Sequence, residues 1–158
     1  MYAVFSRSSS LRSETTCLTQ LQSVIDATNN NSNFTLAEKN VWHNGRWSNT
    51  DSIQTLTMGG SGTSGGLRFI SGTGEEFLVV LGIHNYKRWC YINTDLAPPA
   101  TATNIHPEYY TDGNARNRLL WDQRSEIQET SARGTKVDVK YVHEAADSKS
   151  FVVHITIS

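Results

Sequence analysis

The chain has 158 residues, the size of a single domain, and its 14 Lys and Arg nearly balance its 15 Asp and Glu. This balance excludes the strong positive field with which proteins hold nucleic acid or an anionic membrane. Ser, Thr, Asn and Gly, with 17, 17, 12 and 11 residues, make up more than a third of the chain. No run of 18 apolar residues occurs, so the sequence predicts no membrane span.

The N-terminal part carries weaker structural signals. Residues 2–7 favour a first strand, and the spacing of Leu18, Leu21 and Ile25 predicts a helix over residues 14–28. The chain lacks the charged start, apolar stretch and small-residue cleavage site of a signal peptide, so we expect a cytoplasmic protein.

The next features are polar or isolated. We expect Cys17 and Cys90 to be buried small hydrophobes rather than a disulfide, because isolated cysteines in a reducing compartment rarely pair. The asparagine-rich run 29–33 predicts an exposed loop. Thr35 and Glu38 fit a capping box at the start of a helix.

Strand patterns dominate the middle of the chain. Residues 53–58 alternate apolar and polar, and the Gly/Ser run 59–66 separates them from a second extended stretch at 67–71. Residues 77–83 are apolar on both faces, as in a central strand, and residues 88–93 continue extended.

The C-terminal third combines one helical pattern with two strand patterns. Residues 114–129 contain strong helix formers and neither Gly nor Pro, which predicts a helix. Residues 137–141 and 151–157 alternate as half-buried strands do. Because strands dominate and no linker divides the chain, we predict one α+β domain over residues 1–158 with antiparallel sheets.

Several known motifs overlap in the Gly/Ser run. Gly60, Gly62 and Gly65 satisfy G-x-G-x-x-G, and Ser64 lies in G-x-S-x-G. The dinucleotide fingerprint and the nucleophile elbow must each open a helix, whereas a strand pattern follows here. A kinase glycine loop does join two strands, but the HRD and DFG signatures of a kinase are absent. Two interpretations stay open: a flexible strand connection, or a loop whose N–H groups and hydroxyls bind a neutral polyhydroxylated ligand.

The histidines and carboxylates show no catalytic or metal-ligating pattern. No histidine pair has the spacing of a metal site, and no acid pair stands out as the couple that a glycosidase requires. We therefore predict no metal, no cofactor and no enzymatic activity. The histidines are His43, His84, His106, His143 and His154.

Residues 56–96 carry a specific family signature. The block LTMGGSGTSG-x-LRF followed by GIHNYKRWC resembles the fungal fruit-body lectin family. Weaker similarity covers the WHNG stretch at 42–45, the EYY stretch at 108–110 and the last two strands. The resemblance thus spans residues 40–158, whereas residues 1–40 are longer than the usual start of the family and align poorly.

This resemblance implies a fold related to the actinoporins, in which two antiparallel sheets form a β-sandwich and a helix–loop–helix connects them. It also implies a homodimer or homotetramer that binds glycans and glycoproteins. One site would take Galβ1-3GalNAc, the T-antigen disaccharide, and a second would take terminal GlcNAc. We further expect a defence role against organisms with exposed glycans.

The resemblance places the primary sugar site on the Gly/Ser run 59–66, called the glycine loop below, and on the HNY stretch at 84–86. Ser61 and Asn85 are expected to hydrogen-bond sugar hydroxyls, and Gly62 is expected to offer its N–H group. His43 stands where the family has a small residue, so its ring either contacts or crowds the sugar. The full set is His43, Ser61, Gly62, His84, Asn85 and Tyr86.

The second site departs from the family pattern. The acid that follows the RWC stretch in the family is Tyr91 here, and the site tyrosine of the family falls on Ile127 if one residue is inserted. We therefore expect this site to be weakened or altered, although Tyr91 can still stack on a sugar. The corresponding residues are Tyr91, Ile92, Thr94, Arg116 and Ile127.

Two alternatives belong to other functional classes. An actinoporin-like membrane-active or pore-forming protein would need an amphipathic N-terminal helix, but residues 14–28 carry little basic charge, so we expect no membrane insertion. A glycan-cleaving enzyme would need a catalytic pair, and the sequence shows none.

Overall fold

The computed structural model describes residues 19–25, 34–50, 53–94, 96–146 and 150–158. Most of these residues lie in strands, and three short helical segments follow the seventh strand. In chain order the elements are β1 (Thr19–Ile25), β2 (Phe34–Trp42), β3 (Arg46–Thr50), β4 (Ile53–Met58), β5 (Thr63–Ser71), β6 (Glu76–His84), β7 (Lys87–Asn93), α1 (Ala102–Ile105), a 3-10 helix (His106–Tyr110), α2 (Asn117–Trp121), β8 (Glu126–Thr130), β9 (Lys136–Glu144) and β10 (Ser150–Ile157).

The strands form two sheets. The six-stranded sheet has the order β3-β4-β1-β10-β9-β8, and the four-stranded sheet has the order β2-β5-β6-β7. The three helical segments connect β7 of the second sheet to β8 of the first. The predicted α+β sandwich with a helical connector is confirmed. One pair, β1 with β10, runs parallel, which strand patterns do not predict because they indicate faces and not neighbours.

The helix predicted over residues 14–28 is wrong where the structure describes it. Residues 19–25 form β1, which pairs with β4 on one side and with β10 on the other. Hydrogen bonding to two neighbouring strands outweighs a helical spacing carried by three apolar residues. The rest of that segment, the predicted strand 2–7, Cys17 and the run 29–33 lie outside the described residues.

The helix predicted over residues 114–129 is largely wrong as well. Only Asn117–Trp121 is helical, and Glu126–Thr130 forms β8 at the edge of the six-stranded sheet. Gln123 has a positive φ of 50°, which ends the helical path. Ile127 then pairs with Val139 of β9 and is buried, and removing its apolar side chain from water favours the strand.

Two local predictions also change. Thr35 and Glu38 lie in β2 rather than in a helix, and the Glu38 carboxylate instead accepts hydrogen bonds from the N–H groups of Ala102 and Thr103 at the start of α1. The Gly/Ser run is a loop only as far as residue 62, because β5 begins at Thr63. Gly65 lies in this strand under the Trp47 ring, where a Cβ atom would collide with the indole.

The predicted central strand is confirmed as β6, which is buried on both faces. One face of β6 packs against the six-stranded sheet, and its residues are Phe77, Val79, Leu81 and Ile83. The other face packs against the helical connector, includes Leu78 and Val80, and is called the connector face below. Within the described part of the chain, no helix is long and apolar enough to cross a membrane.

Candidate functional site

Three turns meet at one end of the four-stranded sheet. Antiparallel pairing aligns Trp42 of β2 with Ser64 of β5, and Ser64 with Gly82 of β6. The end of β2, the start of β5 and the end of β6 are therefore neighbours. The connections at this end are residues 43–45, 59–62 and 85–86, which we call the turn cluster.

Unusual backbone conformations concentrate at this end. Residues 85 and 86 join β6 to β7 with positive φ at both positions, which is the geometry of a type I′ hairpin. A positive φ is uncommon for residues other than glycine and clusters at functional sites. In the described chain the non-glycine residues with positive φ are His43, Asn44, Asn85, Tyr86 and Gln123. Gln123 contacts β6 beside the turn cluster through the His84 carbonyl.

Hydrogen bonds join the glycine loop to the neighbouring hairpin. The hydroxyl of Ser61 accepts a bond of 3.0 Å from the N–H of Tyr86. The N–H of Gly62 donates to the carbonyl of Ile83 at 2.7 Å. The expectation that Gly62 offers its N–H to a ligand is therefore wrong, because that group already closes the loop onto β6.

The remaining turn packs on the same loop. Gly59 lies so near Asn44 that an added Cβ would sit 3.0 Å from the Asn44 carbonyl oxygen. The structure thus brings the six predicted primary-site residues to one end of the sheet. The side chains of His43, Ser61, Asn85 and Tyr86 are exposed there, whereas His84 is half-buried.

The turn cluster presents uncharged hydrogen-bonding groups. Its turns contain glycine, serine, asparagine, histidine and tyrosine and carry no Lys, Arg, Asp or Glu. Burial lowers the pKa of His84, which favours its neutral form. An exposed amide and hydroxyl can each donate and accept, so the chemistry suits a neutral polyhydroxylated ligand more than a phosphate.

A row of aromatic rings lies beside the turn cluster on the connector face. The Trp42 ring stacks on Tyr110 with 4.8 Å between centroids, and Tyr110 lies 6.4 Å from His84. His43 and Trp121 extend the row at its two ends, at 5.7 Å from Trp42 and 4.3 Å from His84. Sequence reasoning did not assign Trp42, Tyr110 or Trp121 to the site, because strands and connector bring them together from distant positions.

A buried hydrogen-bond chain supports this row from within. Ser64 Oγ lies 2.7 Å from the Tyr110 hydroxyl and 2.6 Å from His106 Nε2. His106 Nδ1 lies 2.9 Å from Asn40 Oδ1, and Asn40 Nδ2 donates to the carbonyl of Ala102. This last bond orients the amide, so Nδ1 of His106 donates and Nε2 accepts from Ser64.

Burial favours the neutral imidazole in this chain. Burial lowers the pKa of His106 to about 4 and raises the pKa of Tyr110 to about 12, so both groups keep their uncharged forms at neutral pH. His106 was assigned no role from the sequence. Its position in a five-residue 3-10 helix leaves no periodic signal that would have indicated burial.

Ser64, His106 and Asn40 resemble the order of groups in a hydrolase triad, and Ser64 is the serine of the G-x-S-x-G match. Both Ser64 and His106 are 0% exposed. A substrate carbonyl cannot reach a hydroxyl that is already enclosed between an imidazole and a phenol. The arrangement is therefore a structural network rather than a nucleophile poised for attack.

The predicted second site is only partly assembled. Tyr91 lies 6.1 Å from the Tyr109 ring on the connector face, and Arg116 forms an ion pair with Glu108 at 3.1 Å in the same region. Thr94 is half-buried just after β7.

The two isoleucines of the predicted second site point elsewhere. Ile92 alternates to the opposite face of β7 from Tyr91, and Ile127 lies on β8 of the other sheet. Both belong to the core between the sheets, at 2% and 7% exposure. Because both side chains are enclosed between the sheets, neither stands on the surface where a glycan would have to contact it.

Comparison with known proteins gives consistent matches. The sequence model of the family described as fungal fruit body lectin matches residues 19–155, so the likeness begins upstream of residue 40. A lectin from Boletus edulis is 49% identical over 111 residues, covering 68% of this chain and 77% of that protein. The structure of the wild-type lectin of Xerocomus chrysenteron has a TM-score of 0.79 at 38% identity, covering 89% of this chain and 99% of that one.

A more distant likeness concerns the fold alone. The lipid-binding protein Nakanori has a TM-score of 0.53 at 8% identity, covering 88% of this chain and 69% of that one.

Proposed function

Because this chain belongs to the fungal fruit body lectin family and is thus a carbohydrate-binding protein, we propose that it binds glycans carrying Galβ1-3GalNAc at the turn cluster. The observation that supports this most is the bond from the Tyr86 N–H to the Ser61 hydroxyl, which sets Ser61 beside the exposed Asn85 amide. Ser61 keeps its own O–H donor for a sugar hydroxyl, and Asn85 supplies both donors and an acceptor.

The Asn85 side chain provides the sharpest test of this proposal. Asn85→Gly removes the amide and tolerates the positive φ of 47°, so the hairpin should keep its shape. We expect a loss of about tenfold or more in affinity for Galβ1-3GalNAc, since two hydrogen-bonding groups to the sugar disappear. Titration calorimetry with the free disaccharide measures this change.

Asn49→Gly is the matched control, because Asn49 is an exposed asparagine on edge strand β3. It should leave the affinity within about twofold. Wild-type affinity in Asn85→Gly, with both variants folded by circular dichroism, would place the primary site elsewhere.

The second proposed site should favour other ligands or bind weakly. Tyr91 replaces the expected acid, and Ile92 and Ile127 face the core, so Arg116 and Thr94 remain as polar groups. We expect glycans that end in GlcNAc to bind more weakly than Galβ1-3GalNAc on a glycan array. Equal binding of the two glycan classes by the wild-type protein would show this expectation to be wrong.

We also propose that the protein acts without catalysis, as a cytoplasmic homodimer or homotetramer in defence. A single shallow sugar site binds weakly, and an oligomer would raise the avidity for glycans displayed at high density. The membrane-active alternative is not proposed, because it rested on an N-terminal helix and residues 19–25 form β1 inside a sheet.

A further inference from the structure

Trp121 is a large apolar side chain that stays in contact with solvent beside the turn cluster. It is the last residue of α2, and 55% of it is exposed. Exposed large hydrophobics in the described chain are Tyr86, Trp121 and Val142. Two of these three flank the end of β6, so the exposed apolar surface concentrates near the proposed sugar site.

Several contacts hold the segment that carries Trp121. The Trp121 and His84 rings meet edge to face at 4.3 Å and 85°. Gln123 donates from its amide to the His84 carbonyl at 3.1 Å, and the Arg124 carbonyl accepts from the N–H of Cys90 at 3.1 Å. Trp121 is thus positioned before any ligand arrives, which lowers the conformational entropy lost on binding.

The His84 ring forms a wall behind Trp121 that offers a ligand no accessible polar atom. Both of its ring nitrogens are shielded from solvent and make no hydrogen bond. The exposed indole in front of this wall has an electron-rich face that attracts weakly positive C–H groups. A pyranose ring carries such groups on one face, while its hydroxyls project from the rim.

We propose that Trp121, backed by His84, forms an aromatic subsite beside the turn cluster. It receives the C–H face of a sugar, or another flat apolar group, that is linked to the sugar held by Ser61 and Asn85. The subsite rests on the proposed function, because the turn cluster has to hold the first sugar.

The test compares one short ligand with two extended ones. Methyl β-galactoside fills only the turn cluster, phenyl β-galactoside adds a flat apolar group, and Galβ1-3GalNAc adds a second sugar. For Trp121→Ala we expect the affinity for at least one extended ligand to fall by about fivefold to tenfold, and that for methyl β-galactoside to change by less than about twofold. Calorimetry measures all three constants.

Two further variants separate stacking from a merely structural effect. Trp121→Phe keeps an aromatic face and should retain most of the affinity for the extended ligand. Val142→Ala truncates an exposed apolar residue on β9 of the other sheet and should change nothing. If Trp121→Ala weakens the affinity for Galβ1-3GalNAc, a sugar occupies the subsite. If it weakens the affinity for phenyl β-galactoside, an apolar group can occupy it.

Two results would overturn the subsite while leaving the proposed function intact. The first is an unchanged affinity of Trp121→Ala for both extended ligands. The second is an equal loss for all three ligands, which would make Trp121 a support for His84 only. If the wild-type protein binds none of the three, the proposed function fails together with the subsite.

Discussion

Replacing His106 by alanine is expected to lower the free energy of unfolding by about 3 kcal/mol or more, from lost packing and unpaired polar groups. The side chain is fully buried and bridges Ser64 to Asn40. Its removal leaves the Ser64 donor and the Asn40 acceptor without these partners in a site closed to solvent. Urea unfolding followed by tryptophan fluorescence measures the loss.

The same residue should make stability depend on pH. Burial holds the pKa of His106 at about 4, against 6.5 in the unfolded chain, so below pH 6.5 the unfolded state binds more protons. Stability from this group is complete above pH 6.5 and falls as the pH drops toward 4, by about 3 kcal/mol at most. Unfolding curves at several pH values measure this slope.

Two variants serve as controls for His106. His106→Gln cannot titrate, so its stability should fall less between pH 6.5 and pH 4 than that of the wild-type protein. His154→Ala changes an exposed histidine on β10 and should stay within about 0.5 kcal/mol of wild type at pH 7. Identical pH slopes in His106→Gln and the wild-type protein would contradict the neutral, buried imidazole.

Replacing Gly82 by alanine should cost about 3 kcal/mol in the free energy of unfolding, because a core strand has no room for the added methyl group. A Cβ at this position would collide with the carbonyl oxygen of Thr63 and with Cα and Cβ of Ser64. Two of these atoms belong to the backbone of the paired strand β5, which cannot turn aside as a side-chain end can.

The collision at Gly82 should also reach the turn cluster. Moving β5 away from β6 would disturb Ser64 in the buried chain and the bond from Gly62 to Ile83. We therefore expect weaker binding of Galβ1-3GalNAc in the folded fraction of Gly82→Ala.

Gly72 provides the matched glycine control. It lies in the turn after β5, where a Cβ would meet nothing within 4 Å. Gly72→Ala should keep the wild-type urea midpoint, and equal midpoints for the two alanine variants would contradict the close packing at Gly82.

Most strands of the C-terminal two thirds, with the exception of β8, could be predicted from the sequence because their patterns are locally complete. Either alternation or a continuous apolar run is present in β4, β6, β9 and β10. In each of these strands the buried side chains are the ones that the pattern indicates. The HNY stretch and the glycine loop could likewise be placed at one site, since a family resemblance carried them. Their sugar-binding roles remain predictions.

Other features were decided by contacts between distant segments. Residues 19–25 have a helical spacing but form a strand, because β4 and β10 supply hydrogen-bonding partners on both sides. β8 forms where a helix was predicted, because β9 offers an edge on which Ile127 becomes buried. Local propensity amounts to a few tenths of a kcal/mol per residue, about 0 to 0.7, so such partners outweigh it.

The sequence by itself determined the near-zero net charge, the dominance of strand patterns and the polar, uncharged residues of the glycine loop and the HNY stretch. The tertiary structure decided which groups stay available to a ligand. Folding occupies the Gly62 N–H, turns Ile92 and Ile127 into the core and sets Trp121 against His84. Each of these outcomes depends on a partner far away in the chain, and a local pattern carries no information about such partners.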